Sequence, residues 1–131
     1  MVCFVLLVAA LADRTEEDVT IELSQPVYYF GEMVEFTVTN LSDSVLTFTS
    51  QPPFNIYSVS TGEQVYYGYY LPMETYLYPQ QSETFEWDQH YHEYGTSGDQ
   101  VPPGDYWVEV GFWYGTHATG WWGTVADTFE I

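Results

Sequence analysis

The stretch Tyr28-Tyr29-Phe30-Gly31-Glu32-Met33-Val34-Glu35-Phe36-Thr37-Val38-Thr39-Asn40 decides the fold. Gly31-Glu32 is a turn signal. After it, Val34, Phe36 and Val38 alternate with Glu35, Thr37 and Thr39. Side chains on a strand project to opposite faces in turn, so this pattern puts three apolar residues on one face and three polar ones on the other. It predicts a half-buried antiparallel strand, closed by the turn cluster Asn40-Leu41-Ser42-Asp43-Ser44.

The same period recurs on both sides. Val19, Ile21 and Leu23 form an earlier strand, and Pro26 restricts the next residues to a sheet edge or a strand switch. Downstream, strands are expected at Val45 to Thr49, Phe54 to Ser60, Val65 to Tyr70, Thr75 to Tyr78, Glu83 to Gln89, Tyr106 to Trp113 and Thr124 to Ile131. Thr61-Gly62-Glu63 reads as a hairpin turn, and Gly68 as a bulge. His90 to Asp99 reads as a polar loop, Leu71-Pro72-Met73 as a break, and Gly115 to Gly123 as a Gly/Trp loop. The longest clean alternation sets Tyr106, Val108, Val110 and Phe112 against Trp107, Glu109, Gly111 and Trp113. About eight to nine short strands without a helical period predict an all-β, antiparallel β-sandwich of immunoglobulin-like type. At 131 residues the chain has room for one domain.

The first twelve residues, MVCFVLLVAALA, are an apolar run that ends small-x-small at Ala10-Leu11-Ala12 and meets the polar Asp13-Arg14. This pattern reads as a signal-peptide remnant, which would leave residues 13–131 as a secreted or cell-surface domain. A first β-strand of the domain itself, or a strand donated to a neighbouring subunit, would also suit the run. Cys3 is the single cysteine, so no intrachain disulfide forms.

Charge excludes some partners. There are 19 acidic residues against one basic residue, Arg14, for a formal net charge of -18. Such a surface repels nucleic acid and anionic membranes alike. It suits solubility at high salt, or a basic partner.

Several blocks of the chain, in order, resemble the BsuPI-type intracellular proteinase inhibitor domain. They are Tyr29-Phe30-Gly31-Glu32 with the strand to Asn40, Thr47-Phe48-Thr49-Ser50, Pro53 to Val59, Thr61 to Tyr66, Ser82 to Gln89 with its Trp87-Asp88-Gln89, and Val101-Pro102-Pro103-Gly104-Asp105-Tyr106. The resemblance covers Tyr28 to Val110. It implies an immunoglobulin-like sandwich that binds a protein, such as a subtilisin-like serine protease, without catalysis of its own. The matched positions themselves read as core (Phe36, Val38, Phe85, Trp87, Tyr106, Val108) and turn formers (Gly31, Gly62, Gly104).

Constellations for chemistry are sparse. His90 and His92 with Asp88 and Glu93 make a weak metal pattern, with His117 the only further histidine, and a solvated polar loop accounts for them better. No Gly-x-Ser-x-Gly elbow is present. No enzyme activity, metal or cofactor is therefore expected. Aromatic residues are the conspicuous excess, at 20% of the chain. Trp113, Tyr114, Trp121, Trp122, Tyr76 and Tyr78 are the candidate binding residues, with Trp107 and part of the Tyr66 to Tyr70 run also on outward positions. Exposed rings in number mark a surface for protein or for sugar, or a face covered by the N-terminal segment or a neighbour. Alternatives to an inhibitor are accordingly a structural or adhesive cell-surface domain that self-associates, and a carbohydrate-binding module through Trp113 and Trp121-Trp122. Candidate presenting loops are Leu71 to Ser82 and Gly115 to Gly123.

Overall fold

A computed structural model of the chain describes residues 18–115 and 120–131. The Met1 to Ala12 run, Arg14 and His117 lie outside them. The described residues form an all-β, immunoglobulin-like sandwich of eleven strands: β1 (Val19–Leu23), β2 (Val34–Asn40), β3 (Leu46–Gln51), β4 (Phe54–Ser58), β5 (Gln64–Tyr66), β6 (Leu71–Leu77), β7 (Ser82–Trp87), β8 (His90–Glu93), β9 (Thr96–Gln100), β10 (Asp105–Tyr114) and β11 (Trp121–Glu130).

The smaller sheet runs β1-β2-β7, antiparallel throughout. The larger is built around β10. Its one edge carries β11 along the full length; its other edge carries β4 at Tyr106 to Val110 and then β3 at Trp113 and Tyr114. β6 pairs with β3, while β5, β8 and β9 continue the sheet from β4. Alternation is the cause of the layering. Val34, Phe36 and Val38 of β2 and Phe85 and Trp87 of β7 face Phe54 and Ile56 of β4 and Tyr106, Val108, Val110 and Phe112 of β10, and all are buried. Phe36 meets Phe54 edge-on at 4.9 Å between ring centres, which ties the two sheets at their middle.

Two local features mark the immunoglobulin-like path. Beyond Pro26 the chain leaves the smaller sheet, and Val27 makes a parallel bridge to Glu130 of β11; of the edge or switch expected at Pro26, the structure has the switch. At the start of β10, Tyr106 donates its hydroxyl to the Pro102 carbonyl, four residues upstream. A tyrosine at this position, bonded back to its own corner, is a recurrent lock of this architecture.

There are more strands than expected, and the reason is visible in the hairpin β8–β9. His90 to Asp99 reads as a loop because it is mostly polar and contains glycine. It pairs as strands at His90–Gln100, His92–Ser97 and Glu93–Thr96, and joins the sheet through a parallel contact of Tyr66 with His92. Strands at a solvated sheet end carry no buried face, so no alternation betrays them. β6 likewise begins at Leu71 across the expected break, and β5 stops at Tyr66. The Gly/Trp loop is shorter than expected, because β11 starts at Trp121.

Polar side chains pin both ends of the opening stretch. Gln89 is fully buried. Its Oε1 accepts from Gly31 N–H (2.8 Å) and from the Gln100 amide (2.8 Å), and its Nε2 donates to the Tyr29 carbonyl (2.9 Å). At the other end Asn40, also fully buried, donates to the carbonyls of Ser44 (2.8 Å) and Leu77 (2.9 Å) and accepts from Ser42 N–H (3.0 Å) and hydroxyl (2.6 Å). Gln89→Leu removes the buried amide and takes this partner from the Gly31 amide, the Tyr29 carbonyl and the Gln100 amide. We expect it to lower unfolding free energy by roughly 1–3 kcal/mol, read from urea denaturation. A loss below about 1 kcal/mol would mean that the turn holds without this amide.

Candidate functional site

The outer face of the larger sheet carries most of the aromatic excess. Residues opposite one another in an antiparallel pair share a face, so the register orders this surface in rows about 7 Å apart along β10. In the first row Tyr57 of β4 and Trp107 of β10 stack at 4.7 Å with rings 23° apart, beside Thr128 of β11. The second row holds Asn55, Glu109 and Ala126. The third holds Gly111 and Thr124. In the fourth, Trp122 and Trp113 are opposite one another, their rings 5.6 Å apart and near perpendicular, with Thr47 of β3 and Tyr76 of β6 next along the row.

Gly111 is what lets this face close up. A Cβ built there would lie 2.2 Å from the Trp122 ring and 2.5 Å from the Tyr69 hydroxyl. Tyr69 reaches over from the segment after β5, where it takes a left-handed φ of 61°. Its hydroxyl donates to the Pro53 carbonyl (3.0 Å) and accepts from Gly111 N–H (2.8 Å). The direct bond from Gly111 N–H to the Pro53 carbonyl is long, at 3.2 Å. The phenol therefore sits across a formed ladder bond as a second partner to both of its groups. Burial, opposed in part by the Gly111 hydrogen bond, pushes the Tyr69 hydroxyl up from its ordinary value. Gly68, expected as a bulge, packs so closely that a Cβ would fall 1.9 Å from the Phe54 carbonyl oxygen, while its N–H donates to Asn55 Oδ1 at 2.8 Å. Tyr67 and Tyr94 extend the aromatic surface toward β8, at 5.7 Å between ring centres.

The candidate residues divide between two faces. Trp113, Trp122 and Tyr76 meet on the outer face. Tyr76 is exposed, and its hydroxyl donates to the Glu74 carboxylate. Tyr78 is exposed as well, its ring 6.4 Å from that of Tyr76. Tyr114 and Trp121 point the other way. Tyr114 is buried in the core, a correction to its expectation as an outward or loop residue. Its neighbourhood with Gly115 groups it with a loop, but it continues the inward set of β10, after Phe112. Trp121 pairs with Tyr114 in register, its ring tilted 32° against that of Tyr114 at 4.6 Å, along a cleft of about 450 Å³ lined by Asp18, Leu41 and Ser44 among others. Trp121 and Trp122 are neighbours on a strand, so they cannot form one platform. Of the two candidate presenting loops, Leu71 to Leu77 is a paired strand and 116–119 lies outside the described residues.

Tyr57, Asn55 and Glu109 belong to the site although sequence reasoning does not single them out. The alternation Phe54-Asn55-Ile56-Tyr57-Ser58 carries the signal for the first two, since Phe54 and Ile56 are plainly core. His90 and His92 are held locally: His90 Nδ1 is 2.9 Å from the Gly98 carbonyl, and His92 Nε2 is 3.1 Å from Asp88 Oδ1. Among the described residues no group of three His, Cys, Asp or Glu side chains comes together as a metal site would require.

No family model matches the chain, and no curated protein matches it. Among solved structures, a β-glucosidase from Erythrobacter marinus is similar at 13% identity and a TM-score of 0.42. The likeness covers 86% of this chain and 15% of that one, so the chain spans a small part of that protein's length.

Gly111→Ala should displace the Trp122 ring and the Tyr69 hydroxyl together. We expect a loss of about 1–3 kcal/mol with a red-shifted tryptophan emission; an unshifted spectrum at full stability would contradict this packing. Alkaline titration gives a second check. Burial raises Tyr66 and Tyr69, and raises Tyr106 from its ordinary 10.0 to about 12. Below pH 10 these phenols are neutral in the folded and unfolded chain alike. As pH climbs past 10.0 the unfolded chain gives up protons that the folded one retains, so stability falls with rising pH. Denaturation midpoints should decline steadily between pH 10 and about 12. Midpoints that stay level across that window would refute the assignment.

Proposed function

We propose that the protein is a non-catalytic binding domain that engages a protein partner through the aromatic outer face of its larger sheet, in the way expected of the proteinase inhibitors it resembles in sequence. The observation that carries this reading is the set of outward rings on rigid strands: Tyr57, Trp107, Trp113, Trp122 and Tyr76 all lie on one side of β4, β10, β11, β3 and β6. An immunoglobulin-like sheet has its core on the other side, so these rings lie outside the core and face a partner's side of the sheet. Trp122 and Tyr76 stay close to half exposed, at 45% and 48%. Large aromatic side chains lose little conformational entropy when a partner covers them, and they dominate interface energetics for that reason.

The partner class suggested by the resemblance is a serine protease of the subtilisin type, met outside the cytoplasm if the Met1 to Ala12 run is a signal segment. The test is steady-state inhibition of a subtilisin-like protease by the intact chain, in parallel with Trp122→Ala and Trp107→Ala. Micromolar or tighter inhibition, weakened about tenfold or more by either variant, supports the reading. Proteolysis that runs unimpeded at micromolar domain would end the inhibitor assignment. Inhibition by both variants at full strength would instead move the contact off this face.

A further inference from the structure

Between the rings of its first and fourth rows the aromatic face carries no ring of its own: the second and third rows hold Asn55, Glu109, Ala126, Gly111 and Thr124, and this change in side-chain size makes a trough. Its floor is the second row, where Glu109 is flanked by two small side chains, Asn55 and Ala126. One end is walled by the stacked pair Tyr57 and Trp107. The other is walled by Trp122, which leans over Gly111, and by the Tyr69 hydroxyl beneath it. Alternation along β10 puts Glu109 on the same face as Trp107 and Gly111, one row from each.

Three observations bear on what such a trough receives. The first is charge. Glu109 is half-buried, yet the one ion pair among the described residues is His92 with Asp88, on another part of the sheet. The chain's single Lys or Arg side chain, Arg14, lies outside those residues. A carboxylate drawn partly out of water gains from a cation, and this chain has almost none to give. The second is ring orientation. Tyr57 and Trp107 are nearly parallel and cover one another, Trp113 and Trp122 cross at 70°, and Tyr69 and Trp122 at 54°. No two of these neighbouring rings lie side by side in one plane as an extended platform for a chain of sugar rings would. The third is the electron-rich character of ring faces, which attract ammonium and guanidinium groups, most strongly at tryptophan. The negative charge of Glu109 is also felt by the surrounding phenols: it raises Tyr57 after burial does, and Tyr69 after burial and against its Gly111 bond.

We propose that the Tyr57–Trp107–Glu109–Tyr69–Trp122 trough is a binding site for a cationic side chain, an arginine or lysine presented by a basic segment of the protein partner. This rests on the reading of the outer face as the partner-binding surface, and it names the chemistry of that contact. Glu109 supplies the counter-charge and the rings supply cation–π contacts, with guanidinium preferred because its plane stacks and its N–H groups fork onto one carboxylate.

The experiment is a titration of the intact chain with a neutral Gly/Ser peptide that bears one arginine, against the same peptide with citrulline, which is isosteric and uncharged. It is run in high salt, where the diffuse attraction of an acidic protein is screened. Tryptophan fluorescence and NMR shifts of the indole N–H groups are the readouts. Binding of the arginine peptide at Trp107 and Trp122, weakened about tenfold or more in Glu109→Gln and unchanged in Glu22→Gln on the smaller sheet, supports the site. Equal losses in Glu109→Gln and Glu22→Gln would reduce it to overall charge and overturn it. Binding of citrulline as tight as arginine, or of a neutral oligosaccharide in place of either, would overturn it as well. Failure here is separable from failure of the broader reading. Glu109→Gln that inhibits the protease at full strength, while Trp122→Ala does not, removes the cation site and keeps the surface.

Discussion

The buried amide of Gln89 is the constraint on which the arrangement of this sandwich depends. It sits where β7 ends, and its backbone takes a left-handed φ of 65° to turn the chain toward β8. From there its side chain holds the Tyr29 to Gly31 turn that launches β2, and its own carbonyl accepts from Val101 N–H at 2.8 Å, just ahead of the corner that launches β10. One residue thus sets where a strand begins in each sheet. The stakes lie on the Gln89 side of these bonds: its amide is fully buried, where an unpaired polar group is expensive, although the Tyr29 to Gly31 turn it holds is at the surface. Once β10 begins at Asp105, its alternation decides which rings enter the core and which line the outer face.

Legibility tracks burial. β2 and β10 are readable because each has one buried and one wetter face, so apolar and polar residues alternate. The link between Gly31 and the Trp87-Asp88-Gln89 segment is not, because it joins residues 58 apart in sequence, and nothing in a strand pattern states which polar side chain is turned inward. The β8–β9 hairpin is hidden for the opposite reason. It buries too little to need a pattern.

The site is legible as a composition and illegible as a surface. An excess of rings announces that some must lie outside the core, and the outward placement of Trp107 and Trp113 comes from alternation alone. Grouping Trp121 with Trp122 ignores that same rule. Glu109 draws no attention because the chain is full of carboxylates, and only the register across β4, β10 and β11 singles it out, between small neighbours and two aromatic walls. Tyr69 is hidden more deeply. Its role depends on Pro53 and Gly111 meeting in the ladder and on Gly111 leaving space, three residues whose meeting no local pattern encodes.

A nearly cation-free chain cannot knit its outer sheet faces with ion pairs, which elsewhere serve as cross-strand contacts. Here the rings take that part: the Tyr57–Trp107 stack is directly opposite in register, a geometry that stabilises a sheet by about 0.5–1.5 kcal/mol beyond burial. The aromatic face is therefore structural and available for binding at once, and removing a ring disturbs both roles. Glu109 separates them. It bonds to no ring in the stack and pairs with no cation among the described residues, so neutralising it leaves the packing in place and alters only what the trough attracts. If that small change governs the partner, the acidity of this protein is more than a solvation habit, because one of its many carboxylates has been set apart by the walls around it.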